Sequence, residues 1–368
     1  MFPKLRFSEQ EIDDYYAGVT EDMARASLSA SRPTFFDLLN LLSPAAASPG
    51  FRPALRAAAT LARRRHYGKA VTVFAPLYVS NSCVNSCRYC DFNVRHAAPR
   101  KTLTLEEIDL EGAAVRRHGV DSLLIVAGED PRRVTVDWLC EVGRRLREQF
   151  SCLSLEVAPQ DEGAYRALFA AGFENLTCFQ ETYDQELYRY LHPAGPKSDY
   201  EYRLWTQLRA GRAGFRTLGV AFLLGLAPWR REAASLGAHA LYLMKECWQS
   251  RVQFAFPRLT PVSGGFAPAC PVDENDLEQI MLAFRVAFPE CGMTVSTRES
   301  PAFRDAIVQS AANDMSAGSR VTPGGYAVAA DRDVAQFTLN DAREPAAVFA
   351  AIRRNRQEVV RKNWDKRI

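Results

Sequence analysis

The chain has no long apolar run. No stretch reaches the roughly 18 uninterrupted apolar residues of a membrane-spanning helix. Its first residues, MFPKLRFSEQEIDDYYAG, lack the basic start, apolar core and small-residue cleavage site of a secretory leader. A surplus of one charge is missing too. The 46 Lys and Arg against 43 Asp and Glu leave a formal net charge of +3, too close to balance to argue for a nucleic-acid partner. A cytoplasmic protein is expected, with neither nucleic acid nor membrane among its partners. No internal repeat, low-complexity tract or Pro/Gly/Ser-rich linker interrupts the middle of the chain, and its five histidines show no ligand spacing. Nine cysteines, an odd number in a reducing compartment, argue against a disulfide framework.

What is present is globular composition, 47% hydrophobic and 24% charged over 368 residues. That length suits one large barrel or two ordinary domains. Residues 1–69 read as a helical extension. Thr20 offers an N-cap oxygen to the helix in TEDMARASL, and Gly68 ends the helix in RPALRAAATLARRRHYG. Beyond residue 69 short apolar runs alternate with helical stretches. Strand candidates lie at Ala70–Ser80, Asp121–Glu129, Cys152–Pro159, Asn175–Thr182, Thr217–Gly225, Arg251–Arg258 and Gly292–Glu299, with a weaker eighth at Gly324–Val328. Near-continuous apolar strands alternating with helices predict a parallel sheet buried on both faces. The fold class expected is α/β, a (βα)8 TIM-type barrel over 70–330 with the N-terminal helical extension. A C-terminal helical segment over 331–368 is expected to pack on it. A doubly wound sheet is the alternative.

Strand ends of a barrel carry its chemistry. Here they read SNSC, AGED, EVAPQ, FQETY, FLLGL, FPRLTP and STRES, polar groups gathered at one mouth. After the first strand comes YVSNSCVNSCRYCDFNV, with Cys83, Cys87 and Cys90 within eight residues. Thiolates this close bind zinc or an iron–sulfur cluster. A zinc site wants a fourth ligand, for which His96 is available. Three thiolates with an open fourth position fit a cubane in which one iron binds something else.

The spacing C-x3-C-x2-C, with aromatic Tyr89 directly before the third cysteine, resembles the radical S-adenosylmethionine (SAM) superfamily. That resemblance implies a [4Fe-4S] cluster on Cys83, Cys87 and Cys90, SAM chelated to the fourth iron, and a 5′-deoxyadenosyl radical released by one electron. The segments LLIVAGED, LEVAPQ, FQETYDQELYRYLHPAGPKSDYEYRL, FPRLTPVSGG, STRESPAFRD and MSAGSRVTPGGY are similar, in that order, to the thiazole-biosynthesis tyrosine lyases (2-iminoacetate synthases, ThiH type). The likeness covers nearly the whole chain. It implies a lyase that cleaves the Cα–Cβ bond of L-tyrosine to p-cresol and 2-iminoacetate (dehydroglycine) for the thiazole of thiamin. Its implied partners are thiazole synthase, ThiG, and an electron donor such as flavodoxin or ferredoxin.

The same resemblance assigns residues. Tyr89 packs near the adenine. Gly128 lets the backbone approach SAM, and Glu129 accepts from its ammonium. Glu156, on a strand that should be buried, needs a partner that SAM or an internal salt bridge would supply. Gln180, Glu181 and Tyr183 face the ribose or substrate, and Arg203 pairs with the SAM carboxylate. Arg298 is the choice for the tyrosine carboxylate, because a planar guanidinium fixes it with two parallel hydrogen bonds. Ser316 and Ser319 hold the amino group or carboxylate. Gly324 and Gly325 shape the last loop over the pocket.

Two departures stand out. Asp91 follows the third cysteine where relatives commonly have Gly, and EVAPQ replaces a Gln-Pro-Leu run. The alternatives are a tryptophan lyase, a HydG-like hydrogenase-maturation lyase, or a non-enzymatic scaffold stabilised by a metal. The absence of cysteine after Cys291 disfavours the second.

Overall fold

A computed structural model of the chain describes residues 8–260, 265–329 and 335–361. Eight parallel strands form a closed barrel: β1 (Ala70–Ser80), β2 (Ser122–Ala127), β3 (Cys152–Glu156), β4 (Asn175–Thr177), β5 (Thr217–Ala221), β6 (Arg251–Ala255), β7 (Gly292–Val295) and β8 (Asp314–Ser316). They pair in chain order, and β1 closes the ring by pairing with both β2 and β8. The expected barrel is present.

The eighth strand lies elsewhere than expected. It is Asp314–Ser316, and Gly324–Val328 is a loop. The reason is a tertiary contact. The backbone N–H groups of Tyr326, Ala327 and Val328 all donate to the Glu111 carboxylate, at 3.0, 2.8 and 2.7 Å, so they have none left for a ladder. Glu111 sits on α5 (Leu105–Arg117), which Thr104 and Glu107 start with a reciprocal capping box.

The N-terminal helices α1 (Glu9–Gly18), α2 (Glu21–Ser27), α3 (Phe35–Leu42) and α4 (Arg52–Tyr67) form a partial second layer. They lie against α11 (Trp229–Glu246), α12 (Glu274–Ala287) and α13 (Pro301–Ser310). Thr20 does cap α2, accepting from Met23 N–H, and Gly68 ends α4 with φ 56°. Fully buried Arg63 of α4 donates to the carbonyls of Ala312, Gly68 and Ala70 at 2.8, 3.0 and 3.0 Å. These bonds compensate its buried charge at the end of the barrel where strands begin.

Beyond the barrel the C-terminal residues form α14 (Pro345–Arg354) and a short strand, β9 (Glu358–Val360), which pairs in parallel with the start of β1. Sequence periodicity gave no sign of β9. No described helix is long and apolar enough to cross a membrane.

TIM-type barrels are usually filled by layers of branched apolar side chains. This lumen has Ser154 on β3, Gly219 on β5, Gln253 and Ala255 on β6 and Ser316 on β8, and a cavity of about 230 Å³ runs among them. Small and polar inward positions leave room for a ligand.

Candidate active site

The site begins where β1 leaves the sheet. The register with β2 slips between Tyr78 and Ser80, a bulge that re-aims the chain. The loop that follows is tied to its own base. Arg100 donates to the carbonyls of Asn81, Phe92, Asn93 and His96 at 2.8, 3.0, 2.6 and 3.2 Å. Asn93 Nδ2 donates to the Cys87 carbonyl at 2.8 Å. Val84 N–H donates to the Glu129 carbonyl at 3.0 Å.

Gly128 makes that docking possible. A Cβ there would lie 2.3 Å from the Ser82 carbonyl oxygen and 3.2 Å from the Cys83 Cβ. The clearance expected for SAM is in fact filled by the backbone of the cysteine loop.

Cys83, Cys87 and Cys90 are free thiols lining one cavity of about 90 Å³, together with Gly128, Glu129 and Arg203. Burial pushes the Cys87 thiol up to about 12 and the Cys90 thiol up to about 11, with Lys197 pulling both back. Iron reverses that preference by giving each thiolate a cation. Among the described residues no three His, Cys, Asp or Glu side chains gather closely enough for one metal ion. A cubane takes one thiolate per iron and spreads its ligands more widely. His96, the spare ligand considered for zinc, lies 3.7 Å from the Asp91 carboxylate.

Charges then alternate along the cavity wall. Arg203 Nη1 meets Glu129 Oε1 at 2.8 Å, and its Nε donates to the Phe179 carbonyl at 2.7 Å. Lys197 Nζ meets Glu181 Oε1 at 2.7 Å, and Arg203 Nη2 stands 3.8 Å from the same oxygen. Asn85 Nδ2 donates to the other Glu129 oxygen at 2.8 Å, and Asn85 Oδ1 accepts from Lys197 N–H at 2.9 Å. Burial raises both carboxyls, but Arg203 and Lys197 outweigh it and hold each below its ordinary value.

Glu156 differs. It accepts no hydrogen bond from a described residue, and burial, reinforced by Glu181, pushes it up to about 7 against the pull of Arg298, Lys197 and Arg203. It lines both this cavity and the larger one. The internal salt bridge expected as its alternative partner is therefore absent among the described residues.

The larger cavity holds the other predicted residues. Arg298 follows β7; its Cζ lies 3.6 Å from the Phe337 ring centroid and its Nη1 donates to Thr260 Oγ1 at 3.2 Å. Stacking fixes the guanidinium plane. Ser316 and Ser319 are buried on the same cavity, and neither hydroxyl has a hydrogen-bond partner among the described residues. Buried orphan hydroxyls are costly unless a ligand completes them. Tyr89 also lines it, its hydroxyl 2.7 Å from His192 Nε2. His192 Nδ1 lies 2.8 Å from the Tyr188 carbonyl, so Nδ1 donates and Nε2 accepts from Tyr89.

Two expected residues are elsewhere. Gln180 is buried between Phe179 and Glu181, which face the lumen, and lines neither cavity. Alternation along the strand end turns it outward. Tyr183 lies past the strand, its hydroxyl 2.9 Å from His239 Nδ1 on α11, and it lines neither cavity either. Conversely, Lys197, His192 and Asn85 belong to the site and were not singled out. Their one signal was position: Asn85 within the cysteine run, His192 and Lys197 within LHPAGPK.

Residues 77–233 match the Radical SAM superfamily, and 255–356 match the Biotin and Thiamin Synthesis associated domain. The chain is 41% identical over 347 residues to the 2-iminoacetate synthase of Escherichia coli (strain K12), covering 94% of this chain and 90% of that protein. It is 39% identical over 364 residues to that of Salmonella typhimurium (strain LT2), covering 98% and 96%. Among solved structures, HydG, a maturase of the [FeFe]-hydrogenase, superposes with a TM-score of 0.89 at 28% identity over 96% of this chain and 80% of that one. Methylornithine synthase (PylB) gives 0.74 at 21% identity over 92% and 97%, a likeness of fold. Radical SAM enzymes carry a [4Fe-4S] cluster and SAM, and the cysteine cavity with its alternating charges suits both. The chain belongs to the 2-iminoacetate synthase family of radical SAM enzymes.

Proposed function

We propose that this protein cleaves the Cα–Cβ bond of L-tyrosine to 2-iminoacetate and p-cresol, supplying the C–N unit of the thiamin thiazole. The observation that carries the reading is the wall shared by two cavities: one holds three cysteines, the other a stacked arginine, and Glu156 lines both. When bound, the cluster and SAM supply a 5′-deoxyadenosyl radical, chemistry no side chain here provides.

The chain's own residues bind and orient. Cys83, Cys87 and Cys90 hold the cluster. Glu129 accepts from the SAM ammonium, and Arg203 with Lys197 faces its carboxylate. Tyr89, held by His192, packs on the adenine, and Glu181 meets the ribose. Arg298 fixes the tyrosine carboxylate by a two-pronged contact, and the orphan hydroxyls of Ser316 and Ser319 complete its polar end. Glu156, at the shared wall, takes up hydrogen bonds from SAM or substrate. None of these side chains is exposed, and the site they form limits water, which protects a radical and a hydrolysable imine alike.

The reading places the work in the cytoplasm, with flavodoxin or ferredoxin as reductant and thiazole synthase, ThiG, as the recipient of the imine. The barrel, its hollow lumen and the family membership support it. The test is anaerobic: reconstitute the cluster, reduce it, add SAM and L-tyrosine, and follow products by mass spectrometry. Deoxyadenosine with p-cresol and glyoxylate, the hydrolysis product of the imine, is expected. Deoxyadenosine without p-cresol would move the substrate to another aromatic amino acid.

A further inference from the structure

Reduction of a cluster held by these cysteines needs a route from outside, and the surface beside the cysteine loop is rich in arginine. Three segments are stitched together there. Arg88 N–H donates to the Leu191 carbonyl at 3.1 Å, and Val84 N–H to that of Glu129 at 3.0 Å. These bonds join 83–95 to 129–133 and to 189–191. Within the three segments the exposed charged side chains are Arg88, Arg95, Arg132, Arg133 and Arg189, and no exposed acid stands among them.

In a chain that is nearly charge-balanced overall, five exposed arginines in three joined segments, against exposed Glu186 just before Arg189, are a local excess of positive charge. Burial and pairing account for the acids of these segments. Glu129 and Asp130 are buried, and Asp91 lies 3.7 Å from His96. Asp130 accepts from Ser82 Oγ at 2.7 Å and leaves Arg133 a weak contact of 3.7 Å.

The same segments expose two apolar side chains. Val94 is 51% exposed and Tyr190 57%. Arg88 lies over the Tyr190 ring, 4.3 Å from Cζ to centroid, with Nε donating to the Tyr190 carbonyl at 2.8 Å. Exposed tyrosine and arginine beside an apolar side chain is the composition of a protein-binding patch. Covalently it could not be nearer the cluster ligands, since Arg88 stands between Cys87 and Cys90.

We propose that this arginine face, with Val94 and Tyr190, docks an acidic one-electron carrier protein beside the cysteine loop. The exchange is one electron: the carrier is oxidised by one, the cluster reduced by one, and no bond or proton moves. The inference rests on the radical SAM reading of the three cysteines. Charge complementarity would set how fast the carrier arrives, and therefore how the rate depends on salt.

The test compares two reductants on the reconstituted enzyme. Bleaching of the cluster's visible absorbance is followed by stopped flow with reduced flavodoxin and, separately, with dithionite. Affinity for oxidised flavodoxin is measured by calorimetry. The double variant Arg95→Glu/Arg132→Glu reverses two exposed charges whose side chains make no hydrogen bond or ion pair with a described residue, and Arg65→Glu/Arg117→Glu, outside the three segments, is the control. We expect reduction by flavodoxin to slow at least tenfold at low salt in the first variant, with weaker flavodoxin binding. The control and both dithionite rates should match the unmodified enzyme. Equal flavodoxin rates in all three proteins, insensitive to salt, would overturn the proposal. So would a parallel loss with dithionite, which would mean that the arginines merely hold the loop. A cluster that dithionite cannot reduce even in the unmodified protein would sink the enzyme reading itself, and the docking face with it.

Discussion

Tyr89 and His192 share one hydrogen bond of 2.7 Å, and the imidazole is held in a single tautomer by the Tyr188 carbonyl at 2.8 Å. Burial, aided by Lys197, pulls His192 down to about 2, and burial alone pulls His239 down to about 3. The folded protein therefore keeps both neutral where the unfolded chain, near pH 6.5, takes up protons. Stability should be fully present above about pH 6.5 and should fall as the pH drops below it, by at most about 1.4 kcal/mol per pH unit for each histidine. Urea unfolding at pH 7.5, 6.5 and 5.5 checks this. His239→Gln should flatten the slope, and an unchanged slope would count against the assignment.

Gly128→Ala places a methyl group where the Ser82 carbonyl now lies. Backbone cannot yield as a flexible side chain does, so the cysteine loop must lift from the end of β2. The expected result is a folded protein that retains well under half the iron and sulfide of the unmodified enzyme. Full cluster content in the alanine variant would show that the loop tolerates displacement.

Lys197→Met leaves Glu181 with Arg203 alone, at 3.8 Å. A buried carboxylate stripped of its partner costs roughly 3–5 kcal/mol, and burial would then lift Glu181 toward protonation. The variant should unfold at lower urea and bind SAM at least tenfold more weakly. The double variant Lys197→Met/Glu181→Gln should recover most of the stability but not the SAM affinity. Recovery of both would make the pair purely structural.

Arg298→Ala removes the stacked fork over Phe337. Tyrosine binding should weaken by about 1.5–3 kcal/mol, the range of a hydrogen bond to a charged group, seen as a rise of one to two orders of magnitude in KM. Cleavage of SAM without tyrosine should persist. Arg298→Lys should not restore binding, because an ammonium neither stacks as a plane nor presents two parallel donors. Rescue by lysine would leave only a charge requirement.

Much of the fold is legible in the sequence because parallel strands buried on two faces are nearly continuous apolar runs. Asp314–Ser316 escapes that rule. It is three residues long, and the Asp314 carboxylate accepts from Thr294 Oγ1 at 2.9 Å and Gln253 Nε2 at 3.0 Å, partners that only the closed barrel brings together. The loop at Gly324–Val328 imitates a strand in composition and is held by Glu111, a residue far away in the chain. That the three cysteines, Arg298 and the two serines line the cavities could be read from motif and position. Lys197 and His192 could not, since one lies in a single 3-10 turn, Pro196–Ser198, and the other just past the end of the helix Gln185–Leu191, and the path of both depends on packing. Gln180 and Tyr183 failed for the opposite reason: adjacency to Glu181 says nothing about which way a strand end turns.

The first barrel strand is completed from the far end of the chain. Ala70 pairs with Glu358, Thr72 with both Val360 and Asp314, and the other end of the same strand carries the cysteine loop. During synthesis that strand therefore waits, with its β8 neighbour on one edge and its β9 neighbour on the other both missing, until residues 314–360 have been made. Contacts so distant in sequence form late. The three cysteines carried at its other end would then reach their fixed geometry only after residues 314–360 are in place, so a cluster held by them would be loaded into folded protein and not onto the nascent chain.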